Sequence, residues 1–106
     1  MREALLRGAV LFDTGDYFEA HEVWEGAWRA AGDPEAQRLL QGLIQCAAAA
    51  IKVREGTWSG ASTLMERASA NLAGLRDPAL DLAGLLAALR VAVHARDPSA
   101  AIRCRP

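Results

Sequence analysis

Tyr17, Ala20, His21, Trp24, Ala27, Trp28 and Ala31 share one side of a helical wheel, the i, i+3, i+4, i+7 signature of an amphipathic helix. No other stretch constrains the chain as much. Glu19, Glu22, Gly26 and Arg29 take the opposite side. Gly15 and Asp16 open the helix, and Glu19 three positions on completes a capping box that ties the first-turn amides to Asp16. Gly32, followed by Asp33 and Pro34, supplies the stop. Three large aromatics on one face need an apolar surface to lie against, so the helix must be part of a packed helical body.

The rest of the chain supplies that body. Residues 2–13 give a first helix, with Leu5, Leu6, Ala9, Val10 and Phe12 on its apolar side. The short Asp13-Thr14-Gly15 link sets it antiparallel to the second helix. Asp33 as N-cap and Pro34 at the first helical position open a third helix that runs to Glu55 and stops at Gly56. Its apolar residues cover most of the circumference, leaving Gln41, Gln45, Lys52 and nearby Arg38 as a narrow polar stripe. A helix apolar nearly all round is central and buried. Thr57 caps a fourth helix that reaches Leu75, and a fifth begins near Asp81 and ends at Asp97-Pro98.

The expected fold is therefore all-α: one bundle of about five helices, with residues 34–55 at its centre. Alanine and leucine dominate and β-branched residues are sparse, which agrees with this. Residues 1–98 form the single domain, and 99–106 read as a loosely held C-terminal tail that leaves Cys104 a free, exposed thiol. Cys46, in an apolar run, reads as a small buried hydrophobe.

Charge narrows the function classes. The net charge of −1 gives no general attraction to nucleic acid or to anionic membranes. Arg90, Arg96, Arg103 and Arg105 are too dispersed for a nucleic-acid footprint. Met1-Arg2-Glu3 leads into an amphipathic helix rather than an apolar leader, and no run approaches the roughly 20 residues of a membrane span. A soluble, cytoplasmic protein is expected.

His21 is the anomaly, a polar group set into an apolar stripe. With Glu22 and Glu25 it offers chemistry of three kinds. As a metal site, His21 and Glu25 at i, i+4 would give two ligands from one helix face, but a zincin helix would need a second histidine where Glu25 stands. As an acid–base site, His21 would accept a proton, oriented by Glu25 or Glu22. As a structural group, it would hydrogen-bond across to Gln41 or Gln45 on the third helix. No nucleophile spacing and no phosphate loop accompany it.

The sequence reading therefore favours a non-enzymatic interaction or scaffold domain, without a cofactor. Its candidate polar centre is His21, Glu22, Glu25, Gln41 and Gln45, and Trp58 is a candidate anchor for a protein partner. The partner would be another protein, anchored at Trp58, or a second copy meeting an alanine- and leucine-rich face of the fifth helix. A small metal-assisted or acid–base enzyme built on the same cluster is the alternative.

Gly15-Asp16-Tyr17-Phe18-Glu19-Ala20-His21-Glu22-Val23-Trp24-Glu25, then Trp28, then Leu39-Leu40-Gln41-Gly42-Leu43-Ile44-Gln45, resemble the domain of unknown function 309 family. Gly56, Gly60-Ala61, Leu64 and Ala68 extend the likeness. The resemblance implies a small all-helical bundle of bacteria, archaea and plastids, and implies no activity. Lys52 departs from the family pattern, which often has histidine or glutamine there; a site needing a second histidine from the third helix is not supported.

Overall fold

The breaks expected from glycine, proline and aspartate all fall at or between helix ends. The computed structural model describes residues 1–106 and contains α1 (Arg2–Asp13), α2 (Tyr17–Ala30), α3 (Pro34–Glu55), α4 (Trp58–Leu72) and α5 (Leu82–Ala95), with no strand. The Asp33 side chain accepts from the Ala36 N–H at 2.8 Å, and Gly56 ends α3 in the left-handed region at φ 73°. Asp81 caps α5 in the same way, taking the Gly84 N–H at 2.9 Å. The fourth helix stops three residues early, at Leu72, where Gly74 turns the chain at φ 77°.

The capping box at the head of α2 does not form. Asp16 is the N-cap residue, but its side chain accepts from the Thr14 hydroxyl at 3.2 Å and from no α2 amide. The reason lies in the preceding turn. Gly15 sits at φ 88°, and the Asp16 N–H folds back onto the Leu11 carbonyl to close α1. The backbone at Asp16 is thereby committed to ending one helix rather than to capping the next.

Helices α1 and α2 are antiparallel. Phe12 and Tyr17 meet beside the turn with ring centroids 4.8 Å apart, and at the far end the Trp24 indole N–H donates to the Leu5 carbonyl at 3.1 Å. Trp24 is fully buried and lies on Gly8, where an added Cβ would come within 2.2 Å of the indole nitrogen. That close approach turns α1 so that Leu5, Gly8, Ala9 and Phe12 face inward. Leu6 and Val10, expected on the apolar side, are exposed. Trp28 is also exposed, because it lies in the last turn of α2.

Helix α3 is the centre of the bundle, as its all-round apolarity predicts. It packs against α2, α4 and α5 and buries nine residues, more than any other helix. Gly42 lets α4 come close; a Cβ there would stand 2.5 Å from the Leu72 side chain.

Residues 99–106 correct the expectation of a loose tail. Ile102 and Cys104 belong to the hydrophobic core, and Cys104 is buried rather than an exposed thiol. The Cys104 N–H donates to the Asp13 carboxylate at 2.7 Å, and the Asp81 N–H donates to the Cys104 carbonyl at 2.8 Å. The segment is held by a side chain that the sequence shows only as a turn residue.

Candidate functional site

Helix α2 positions the candidate polar centre. Its inward face is fixed by Tyr17, Ala20 and Trp24, so His21 and Glu25, one turn apart, emerge together along the edge of that face. Their side chains are 25% and 32% exposed, against 57% for Glu22. Helical phase alone points Glu22 about 100° away from His21. Its flexible side chain folds back, bringing Glu22 Oε1 to 3.6 Å from His21 Nδ1, while Glu25 Oε2 stands at 3.4 Å. The donor atoms of all three residues lie within 4.8 Å of one another.

Within this cluster His21 Nδ1 is buried and has no hydrogen-bond partner. Both carboxylates lie beyond the usual N–H···O range of about 2.7–3.2 Å. A lone pair at Nδ1 would face two anionic groups. A proton there points at both carboxylates without reaching either at full strength. Glu25 has a second tie, an i, i+4 pair with Arg29 through Nη2 at 2.5 Å.

The two glutamines do not join this cluster. Gln45 Oε1 accepts from Asn71 Nδ2 of α4 at 2.8 Å, so that the polar stripe of α3 pins α3 to α4. Gln41 lies one turn earlier on α3 and is half-buried. The single centre expected across α2 and α3 is thus divided: a cluster on α2, and a Gln45–Asn71 bond between α3 and α4. The sequence does not mark Asn71, since α4 also carries Ser59, Thr63, Glu66, Arg67 and Ser69.

Trp58 begins α4, half-buried and packed against the core, which is not the pose of a free anchor. The exposed aromatics are Phe18 and Trp28, both on α2. Between α1 and α2 runs a groove of about 550 Å³, lined by Met1, Ala4 and Arg7 on one side and Val23, Ala27 and Ala30 on the other. Glu22 lies on its wall; His21 and Glu25 do not. No helix is long and apolar enough to cross a membrane.

The chemistry open to the cluster is cation binding. Ligand atoms about 2.0–2.2 Å from a transition-metal ion at tetrahedral angles stand roughly 3.3–3.6 Å apart. The spacings of Nδ1 to the two carboxylates, 3.4 and 3.6 Å, fall in that range, while the cluster as a whole extends to 4.8 Å, so the side chains must draw in to close on an ion.

Comparison with known proteins gives the family and no activity. Over 75 residues the chain is 28% identical to an uncharacterized protein of Aquifex aeolicus (strain VF5), covering 71% of this chain and 22% of that protein. The chain therefore spans about a fifth of the length of the curated relative it matches. A family model described as a domain of unknown function (DUF309) matches residues 5–64, from the first buried leucine of α1 to the middle of α4. That match takes in α1, α2, all of α3 and the His21 cluster, and by it the chain belongs to the DUF309 family.

Proposed function

We propose that this chain is a non-enzymatic binding domain whose polar centre on α2 takes a divalent transition-metal ion between His21, Glu25 and Glu22. The buried Nδ1 without a partner, facing two carboxylates, is the observation that carries the reading. A cation supplies what the cluster lacks: it satisfies the imidazole and neutralises the carboxylates together. Imidazole and carboxylate donors suit zinc, iron or manganese better than calcium, which prefers all-oxygen sets. Binding rather than catalysis is favoured because neither His21 nor Glu25 lines the α1–α2 groove, so a substrate there would meet only Glu22.

Elemental analysis of tag-free protein purified without chelator, beside His21→Ala, tests this. Near-stoichiometric metal lost in the variant supports the reading. Metal-free protein that also takes up none of the three ions on titration refutes it.

A second reading, a domain that docks a protein partner, is favoured by the apolar α1–α2 groove and by the relative in which the matching segment is a small part of a longer chain. Gly26 lies on the groove wall with open space beyond it, so Gly26→Arg would block the groove without disturbing the bundle. Crosslinked species formed equally by the variant and the parent chain would rule the groove out.

A further inference from the structure

Residues 99–106 place two side chains in the core without belonging to a helix. Ile102 and Cys104 are 2% and 0% exposed, whereas Ala101 and Arg103 face outward, the alternation of an extended segment. An extended segment at a surface needs partners for its backbone, and here the Cys104 and Arg105 N–H groups both go to one carboxylate.

Asp13, the last residue of α1, has a side chain only 2% exposed. It accepts from the Cys104 N–H at 2.7 Å, from the Arg105 N–H at 3.3 Å and from Arg105 Nε at 2.8 Å. Arg103 Nε stands 3.8 Å away. Beyond these, the Asp81 N–H binds the Cys104 carbonyl, and the Cys104 thiol points at the Ala9 carbonyl at 3.7 Å.

At its other end the segment has a hinge. Arg96 closes α5 in the left-handed region at φ 50°, an unfavourable place for a residue with a Cβ. Asp97 then accepts from the Ser99 N–H and hydroxyl to form a self-contained turn. The five helices pack on one another without this segment: α1 on α2, α2 on α3, α3 on α4, and α5 on both α3 and α4. Its departure is resisted by the Asp13 carboxylate, the Asp81 N–H and the packing of Ala100, Ile102 and Cys104.

We propose that residues 99–106 are a hinged strap that opens as a unit while the helices stay folded, with Asp13 as its catch and Cys104 as the group it hides. Such local opening, below the cost of global unfolding, is expected where a few contacts hold a segment outside the helices. When docked, the Cys104 thiol is pushed up by burial first and then by the nearby Asp13 charge, so it is inert. When released, it regains the reactivity of an ordinary thiol, with a pKa of about 8.5. Cys46, on α3 and just as buried, is the internal control for global opening.

Iodoacetamide alkylation of the native full chain at pH 8, followed residue by residue by peptide mass spectrometry, tests the proposal. Cys104 is expected to label at least about tenfold faster than Cys46. Asp13→Asn should raise the Cys104 rate by about tenfold more and leave Cys46 unchanged, since Cys46 waits on global unfolding. Arg105→Ala, which leaves the Cys104 N–H bond to Asp13 intact, should act in the same direction by a smaller factor. If Asp13→Asn does not fold, the Arg105→Ala result decides. Labelling of both cysteines in step, or a Cys104 rate indifferent to the substitutions, overturns the strap.

Discussion

Replacing Gly8 with alanine sets two physical effects against each other, and the structure says which wins. Helix propensity alone favours Gly8→Ala by about 1 kcal/mol, because Gly8 lies inside α1. Against this, the new Cβ would come within 2.2 Å of Trp24 Nε1 and 2.6 Å of the neighbouring ring carbons. Trp24 cannot yield easily, being fully buried, in contact with Phe12 and hydrogen-bonded to the Leu5 carbonyl. Overpacking of this kind costs about 1–3 kcal/mol. Displacing the indole also weakens a hydrogen bond worth about 0.5–1.5 kcal/mol. The net expectation is a loss of about 1–3 kcal/mol, or a fall in Tm of about 10 °C for a domain of this size. Thermal and urea melts followed by circular dichroism read it directly. Phenylalanine at position 24 has a smaller ring and lacks the indole nitrogen that comes nearest, so Gly8→Ala combined with Trp24→Phe should cost less than the sum of the two single changes. A Gly8→Ala protein as stable as the parent, or more so, would refute the claim that Trp24 sets the α1–α2 approach.

The remaining predictions concern caps, charge and the polar centre. Asp33→Ala should cost about 1 kcal/mol in urea melts, because its cap bond is made; Asp16→Ala, whose side chain caps no amide, should cost measurably less. Asp77 is held below the usual carboxylate range by Arg2 and then the Ala79 N–H; for Asp13, burial pushes up but the hydrogen bonds from Arg105 and Cys104 together outweigh it. Both folded-state values lie below the unfolded ones, so their stability is fully present above the ordinary carboxylate pKa of about 4. It is lost as pH falls through the depressed values, and Asp77→Asn should flatten that acid limb in Tm-against-pH measurements. Burial pushes the Cys46 thiol up to about 12, so its alkylation in folded protein should stay slow through pH 10.

How much of this was legible beforehand depends on whether a feature is local. The α3 boundaries could be read because Asp33, Pro34 and Gly56 act within one turn of themselves. The false capping box at Asp16 had the same local pattern, but the preceding Gly15 turn had already fixed the backbone. Spacing correctly placed His21 beside Glu25. It could not show that Glu22 folds back, since a wheel gives the direction of Cβ and not of a long flexible side chain. Gln45 was assigned to the wrong partner for a related reason: periodicity shows which residues share a face, not which helix that face meets. Gly8 and Asp13 carried no signal, because their roles come from Trp24, sixteen residues on, and from Cys104, far along the chain.

The central claim is that the unpartnered His21 nitrogen marks a cation site, and direct metal titration tests it most simply. Isothermal titration of chelator-treated protein with zinc, manganese and ferrous iron, repeated with His21→Ala and Glu25→Gln, should show saturable one-to-one binding of at least one ion. That binding should be lost in the first variant and weakened in the second. Uptake that is absent from the parent chain, or that survives unchanged in His21→Ala, would contradict the account.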